Sequence, residues 1–187
     1  MDTQFNVYEV LQIAEEVERK AARFYLGAAQ QCCDAQRRST YFDLGNWRSK
    51  HQKAWFRIRR EYSEQTGDFG TFDPDDYVLS NPQVMASLTS FGTDLSGHNR
   101  LTGRESIERI LRDAVGRSQE IAIFYDGLKG FAGDPAARMM IDNMISEESR
   151  HVRQLTRSLN DRMVTLAKRP SGAAGARWGA ATQSLVL

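Results

Sequence analysis

Cysteine is scarce in this chain. Its 187 residues contain two cysteines, Cys32 and Cys33, and these are adjacent. Neighbouring residues rarely reach disulfide geometry without strain, and no Cys-x-x-Cys pair is present. We therefore expect two reduced thiols, and the sequence offers no zinc or iron site held by sulfur.

Long apolar runs and an excess of one charge are also missing. The apolar runs are too short to span a bilayer, and the N-terminus "MDTQFNVYEV" lacks the basic start and apolar core of a signal peptide. The formal net charge is +1, which gives no reason to expect a nucleic acid or a membrane as partner. We expect a cytoplasmic globular protein.

Helical periodicity dominates what is present. Four segments repeat their apolar positions in steps of three and four, the spacing of a buried helix face. The predicted faces are Val7, Leu11, Ala14, Glu18, Ala21, Tyr25 and Ala28; Tyr41, Leu44, Arg48, His51, Trp55, Ile58 and Tyr62; Ile107, Leu111, Ala114, Ser118, Ile121, Tyr125 and Leu128; and Ala137, Ile141, Met144, Glu148, His151 and Leu155.

The connections between these helices predict the architecture. Short turns near Asp34–Ser39 and Gly130–Asp134 predict two antiparallel helix hairpins. The segment between the hairpins, from about Ser63 to Leu101, is long enough to cross the length of the bundle. The expected fold is all-α, a four-helix ferritin-like bundle over residues 1–168. Residues 169–187, rich in glycine and alanine, are expected to form a flexible tail.

Helix-start signals accompany the second hairpin. Thr102 and Glu105 have the spacing of a capping box, which predicts the start of the third helix there. Asp134 followed by Pro135 is a typical cap and first-turn pair for the fourth helix.

The two hairpins resemble each other in sequence. "ERKAARFYLGAA" begins at Glu18 and "SQEIAIFYDGLKG" begins at Ser118, while "RSKH" begins at Arg48 and "ESRH" begins at Glu148. Each pair is offset by 100 residues. A constant offset of this kind indicates a duplicated hairpin.

Polar residues interrupt the apolar faces near the middle of every helix. An unpaired buried charge costs several kcal/mol, so these groups must pair with one another or bind a metal. Residues three apart on a helix face the same way, which predicts one central polar layer. Its predicted members are Glu18, Arg48, His51, Ser118, Glu148 and His151.

The Glu-x5-Phe-Tyr and Glu-x-x-His motifs, the repeat and the long crossover resemble the ferritin-like superfamily, and within it the rubrerythrin-like branch, over about residues 5–165. That resemblance implies a di-iron or di-manganese centre, with one Glu from each of two helices and Glu-x-x-His from each of the other two. It implies that Glu18, His51, Glu148 and His151 occupy ligand positions.

Two positions depart from the family pattern. Arg48 stands where the resemblance implies a bridging Glu, and Ser118 stands where it implies a terminal Glu. The carboxylates fall from four to two, and a guanidinium in the layer repels a nearby metal and binds the carboxylates itself. We therefore expect a degenerate site rather than a full di-metal centre.

Two interpretations of the degenerate site stay open. In one, Glu18, His51 and Glu148 hold a single iron or manganese ion, and the resemblance implies iron handling or peroxide protection by a peroxidase- or ferroxidase-type reaction. In the other, no metal binds: Arg48 bridges the two glutamates, a protonated histidine completes the charge balance, and the bundle serves as a scaffold, interaction module or compartment cargo.

Further residues have roles around the layer. Tyr25 and Tyr125 are candidates for the surroundings of a metal, but we favour packing with a hydrogen-bonded hydroxyl. Glu15, one turn from Glu18, is the reserve carboxylate.

The expected partners are a second copy of the chain and a shell protein. Ferritin-like bundles often pair through helix faces, which favours a homodimer. The tail ends in "TQSLVL", which resembles the short Ser-Leu peptides that direct ferritin-like cargo into encapsulin nanocompartments.

Overall fold

The computed structural model describes residues 6–69, 86, 88–91, 101–132 and 135–167. These ranges form four long helices, which confirms the all-α four-helix bundle. The helices are α1 (Val7–Gln31), α2 (Ala35–Thr66), α3 (Ile107–Leu128) and α4 (Pro135–Ala167), and the short 3-10 turn Lys129–Phe131 follows α3.

The two hairpins begin their helices in register with the sequence repeat. Val7 and Ile107 start the first helix of each hairpin, and Ala35 and Pro135 start the second, so equivalent helices begin 100 residues apart. Side-chain oxygens cap the first three helices, because the first backbone N–H groups of a helix have no partner within it. The predicted cap at residue 134 lies outside the described residues.

The predicted start of α3 needs a correction. Ser106, and not Thr102, caps this helix by accepting a hydrogen bond from the N–H of Arg109. Glu105 does bind Thr102, whose backbone N–H and hydroxyl both donate to its Oε1, but its Oε2 accepts from the hydroxyl of Tyr41 at 2.7 Å. Glu105 therefore ties the turn before α3 to α2 and does not begin the helix.

The order of contacts gives the direction of the helices. Tyr41, near the start of α2, bonds to Glu105 just before α3, and Arg48, further along α2, bonds to Ser118 further along α3. The helices α2 and α3 therefore run the same way, although each hairpin is antiparallel. Contacts of α1 with α4 and of α2 with α3 join the hairpins. This is the expected up-down-down-up arrangement.

The core consists of two apolar clusters separated by polar side chains. One cluster combines the first half of α1 and α4 with the second half of α2 and α3; the other combines the opposite halves. The buried polar residues between them are Glu18, Arg48, Ser118, Glu148 and His151. The predicted polar layer thus lies across the middle of the bundle.

Burial follows the predicted faces closely in three helices. Every predicted face residue of α1, α3 and α4 is buried, whereas His51, Ile58 and Tyr62 of α2 are half-buried. The helix α2 also continues to Thr66, so the crossover begins at Gly67, four residues after the predicted Ser63. Most of the crossover and the whole tail lie outside the described residues. Among the described helices, none is long and apolar enough to cross a membrane.

Candidate functional site

The centre of the layer is the guanidinium of Arg48, which is 1% exposed. Its Nη1 donates to both oxygens of Glu18, at 3.1 and 3.3 Å, and to Oε1 of Glu148 at 2.6 Å. Its Nη2 donates to Oε2 of Glu148 at 3.2 Å and to Oγ of Ser118 at 2.7 Å. The contact with Glu148 is a two-pronged charged pair, the strongest arrangement available to arginine. One residue of α2 thus bonds to all three other helices.

Ser118 links Arg48 to His151. Ser118 Oγ accepts from Nη2 of Arg48 and lies 3.2 Å from Nδ1 of His151. The tautomer of His151 decides which of these two atoms donates in the second contact. Burial, assisted by the charge of Arg48, lowers the pKa of His151 to about 2. His151 is therefore neutral, and burial also lowers the pKa of His51, so the expected protonated histidine does not supply the balancing charge.

The raised pKa of Glu18 favours a compensating proton on this carboxyl instead. Burial and the neighbouring Glu148 raise the pKa of Glu18 to about 8, although Arg48 acts against them. Burial also opposes the charge of Arg48, but the two glutamates outweigh it, and the pKa of the guanidinium is raised. One positive charge, one carboxylate and one neutral carboxyl close the layer without a further ion.

Trp47 separates the two histidines. The ring of His151 stacks on its indole with centroids 3.4 Å apart, and the ring of His51 stacks on it at 3.8 Å. Two rings so close to one centroid must lie on opposite faces, because on one face they would overlap. Within the described ranges, His51 makes no hydrogen bond to the layer. The structure therefore brings His151 into the layer and leaves His51 beside it.

The sequence favours a packing or dimer-face role for Trp47, and helical spacing did not predict this contact. The sequence does indicate that Trp47 lies near the layer, because it is one turn before His51 and next to Arg48. That spacing places its indole beside one histidine. It does not reveal that His151 from α4 stacks on the opposite face.

The accessory residues differ from expectation. Tyr25 and Tyr125 are buried as predicted, but in the described part of the chain neither hydroxyl has a hydrogen-bond partner. Burial raises the pKa of both, so both keep their proton. Glu15 does not act as a reserve in the layer, because its carboxylate pairs with Arg59 at 2.8 Å.

The oxygen and nitrogen atoms that face the centre of the layer fit a guanidinium and do not fit a metal ion. All four carboxylate oxygens of Glu18 and Glu148 accept from Arg48, and Nδ1 of His151 is engaged with Ser118. Over the described ranges, no three His, Cys, Asp or Glu side chains form a group that can hold a metal. A metal bound between these carboxylates would lie against the positive charge of Arg48.

Comparisons with known proteins add little detail. No protein-family model matches this chain, and no curated protein matches it. Among solved structures, it is similar to a Thermotoga maritima protein assigned as a ferritin-like diiron-carboxylate protein, with a TM-score of 0.46 and 16% sequence identity. The alignment covers 87% of this chain and 99% of that one. At this level of similarity no residue role transfers between the two proteins.

Proposed function

We propose that this chain is a metal-independent bundle in which Arg48 occupies the place that the sequence resemblance gives to a metal ion. It serves as a scaffold or binding protein and not as an oxidoreductase. The observation that carries this proposal is the guanidinium within 3.3 Å of the carboxylates of both Glu18 and Glu148.

The energetics favour the guanidinium over a metal. A metal can take these carboxylates only after Arg48 has left them, and breaking a buried ion pair costs about 3–5 kcal/mol. Since 1.4 kcal/mol is a factor of ten, the metal affinity falls by roughly two to three and a half orders of magnitude. Ser118 also lacks the negative charge of the glutamate that the sequence resemblance implies at this position, so a metal would have one carboxylate fewer.

Metal content tests the proposal directly. The full chain, purified without chelator and reconstituted anaerobically with ferrous iron or manganese, is expected to show near-zero metal by mass spectrometry. A stoichiometry near one iron per chain, lost in Glu148→Ala, would overturn the proposal. It would establish the single-metal interpretation, with Glu18, His51 and Glu148 as ligands, and would make peroxide and ferroxidase assays the next step.

A matched pair of double variants tests whether Arg48 stands at a metal position. Arg48→Glu with Ser118→Glu supplies four carboxylates and is expected to bind two metal ions per chain. Arg48→Gln with Ser118→Ala removes the guanidinium without adding carboxylates and is the control. If the first variant is helical by circular dichroism and still binds no more metal than the control, the proposed correspondence of positions is wrong.

The partner expected from the sequence is a protein shell. The terminal "TQSLVL" supports packaging as encapsulin-type cargo within the cytoplasm, and the tail itself lies outside the described residues. Deleting the residues after Pro170 is expected to abolish co-purification with a co-expressed shell protein while leaving the bundle helical. Co-purification that persists after the deletion would refute this role of the tail.

The homodimer also remains a proposal. Light scattering during size-exclusion chromatography is expected to give twice the chain mass of 21.2 kDa. A mass of one chain at all accessible concentrations would contradict it.

A further inference from the structure

A second candidate site lies beside α3. A cavity of about 860 Å³ opens between this helix and residues 88–90. Cavities of this volume accommodate small organic ligands. Its lining along α3 includes Arg109, Arg112, Gly116, Arg117, Glu120 and Phe124.

Two arginines of this cavity are exposed. Arg109 and Arg112 are three positions apart on α3, so their side chains leave neighbouring turns on the same side of the helix. Among the described residues, neither side chain has an ion pair or a hydrogen bond. Both lie in the first two turns of a 22-residue helix, where the helix dipole adds a partial positive charge.

The third arginine is held rigidly. Arg117 donates from Nε to Asp113 at 2.8 Å and from Nη1 to the carbonyl of Ser90 at 2.8 Å. Its guanidinium also lies over the rings of Phe24 and Phe91, at 4.3 and 5.3 Å. It is 5% exposed, so it forms a fixed cationic wall instead of a mobile surface charge.

Charge is distributed unevenly along the cavity. Three arginines face two carboxylates, those of Asp113 and Glu120, and Asp113 is paired with Arg117. Glu120 is eight residues beyond Arg112, roughly 12 Å along the helix. The end near Arg109 and Arg112 is therefore cationic, and the opposite end carries the acid and the ring of Phe124.

Gly116 keeps the middle of the cavity open. A Cβ placed on it would meet no atom within 4 Å. A ligand body therefore has room between the cationic end and Phe124, and a larger side chain at position 116 would occupy that room without clashing with the protein.

We propose that this cavity binds a small organic ligand with a multivalent anionic head group, of the phosphate or polycarboxylate class. The head group pairs with Arg109 and Arg112, since guanidinium groups bind both kinds of anion through paired hydrogen bonds. The body of the ligand extends past Gly116 towards Phe124. The site is independent of the Arg48 layer, so the metal content of the protein does not decide it.

Calorimetric titration of the full chain tests this site. The probes are pyrophosphate, adenosine monophosphate and citrate, at low and at physiological salt. Saturable binding at one ligand per chain is expected, weaker at high salt because exposed charges are screened. The tighter of the phosphate and citrate probes identifies the source of the head group. If none of the three probes binds at low salt, the proposal is wrong.

Two variants and a control locate the binding. Arg109→Gln with Arg112→Gln removes the cationic end, and Gly116→Glu places a carboxylate inside the cavity; each is expected to weaken binding at least about tenfold. Gly127→Glu is the matched control, because Gly127 lies on the same helix but is not among the residues that line the cavity, and it also has no atom within 4 Å of a built Cβ. Equal weakening by Gly127→Glu would show a general charge effect and overturn the assignment.

Discussion

Arg48 is the residue on which the interior depends. Arginine is rarely buried unless it is paired, and here its terminal nitrogens meet two glutamates and a serine from three different helices. A buried ion pair contributes little net stability over an apolar replacement, but losing one partner is costly because the other charge stays buried. The stability of the fold is therefore sensitive to the loss of one charged residue of the layer, and it tolerates replacement of all the charged residues by apolar ones.

Arg48→Met is expected to lower the free energy of unfolding by about 3–5 kcal/mol, because it leaves the buried carboxylate of the layer without its cation. The triple variant that adds Glu18→Leu and Glu148→Leu is expected to recover most or all of that loss. Urea unfolding followed by circular dichroism measures both changes.

Arg60→Met is the control for this pair of variants. Its ion pair with Glu64 is exposed, and such pairs contribute about 0–1 kcal/mol. A triple variant of Arg48 no more stable than the single variant would show that packing, and not charge, holds the layer together.

The protonation of Glu18 predicts a decline in stability above pH 6.5. Its pKa is raised from 4.5 to about 8, so the folded chain binds the extra proton and loses stability as pH rises through that range. His151, with its pKa lowered from 6.5 to about 2, acts in the opposite direction but only below pH 6.5. Between pH 6.5 and 8 His151 therefore does not oppose the Glu18 effect, which lowers stability by up to about 1.4 kcal/mol per pH unit.

Urea midpoints measured across this pH range check the prediction. Glu18→Gln cannot titrate and is expected to flatten the profile, whereas Glu64→Gln on the surface is expected to keep the wild-type slope. An unchanged slope in Glu18→Gln would mean that another group carries the proton.

The buried tyrosine hydroxyls predict unusual tolerance. Tyr25→Phe and Tyr125→Phe each remove a buried hydroxyl that has no partner in the described structure, so each is expected to leave stability unchanged or raise it by about 1 kcal/mol. Tyr41→Phe is the contrast, because it breaks the 2.7 Å bond to Glu105 and is expected to cost about 1.5–3 kcal/mol. Thermal unfolding ranks the three; a clear loss in Tyr125→Phe would reveal a partner for its hydroxyl.

At the scale of the elements, a tight contact between α1 and α2 depends on a glycine. A Cβ on Gly45 would lie 2.7 and 2.8 Å from side-chain carbons of Leu26 and 3.3 Å from its backbone nitrogen. Gly45→Ala is therefore expected to destabilise the hairpin by about 1–3 kcal/mol through overpacking, less the gain of roughly 1 kcal/mol in helix propensity.

Gly27→Ala is the matched control for this contact. A Cβ at Gly27 meets nothing within 4 Å, so only the propensity gain applies and stability is expected to rise. Chemical unfolding of the two variants should give shifts that differ by at least about 1 kcal/mol, the lower bound of the overpacking cost. Equal shifts would mean that Leu26 moves aside freely.

Periodicity predicted the buried faces well and the helix starts less well. A face depends on many residues, so one unusual residue does not obscure it, whereas a helix start depends on one cap. Thr102 and Glu105 match a capping box, but the bond from Tyr41, 64 positions away, holds Glu105 in the preceding turn. Such a distant contact leaves no trace in the local sequence.

The membership of the polar layer was predictable to a similar extent. Helical spacing brought Glu18, Arg48, Ser118 and Glu148 to one level, because buried charges must find partners. The location of the proton was not predictable, since it depends on how deeply Glu18 and His151 are buried. The position of His51 was not predictable either, because it stacks on Trp47, and helical spacing does not predict ring stacking.

The described helices form two hairpins that follow the 100-residue repeat, and within the polar layer these halves differ at Glu18 and Ser118 and at Arg48 and Glu148. Equivalent helices begin 100 residues apart, and Arg48 is bonded to Glu148, the residue at its own equivalent position. The repeat thus places opposite charges where an undiverged duplication would place identical ones.

This asymmetry has a consequence for how the halves recognise each other. Two copies of the second hairpin, associated in the same way, would bring together two Glu148 side chains without an arginine between them. Two copies of the first would bring together two Arg48 and two Glu18 side chains, whose charges can still pair. As a separate polypeptide, the second half would therefore depend on the first for its cation, whereas the first half carries acids of its own.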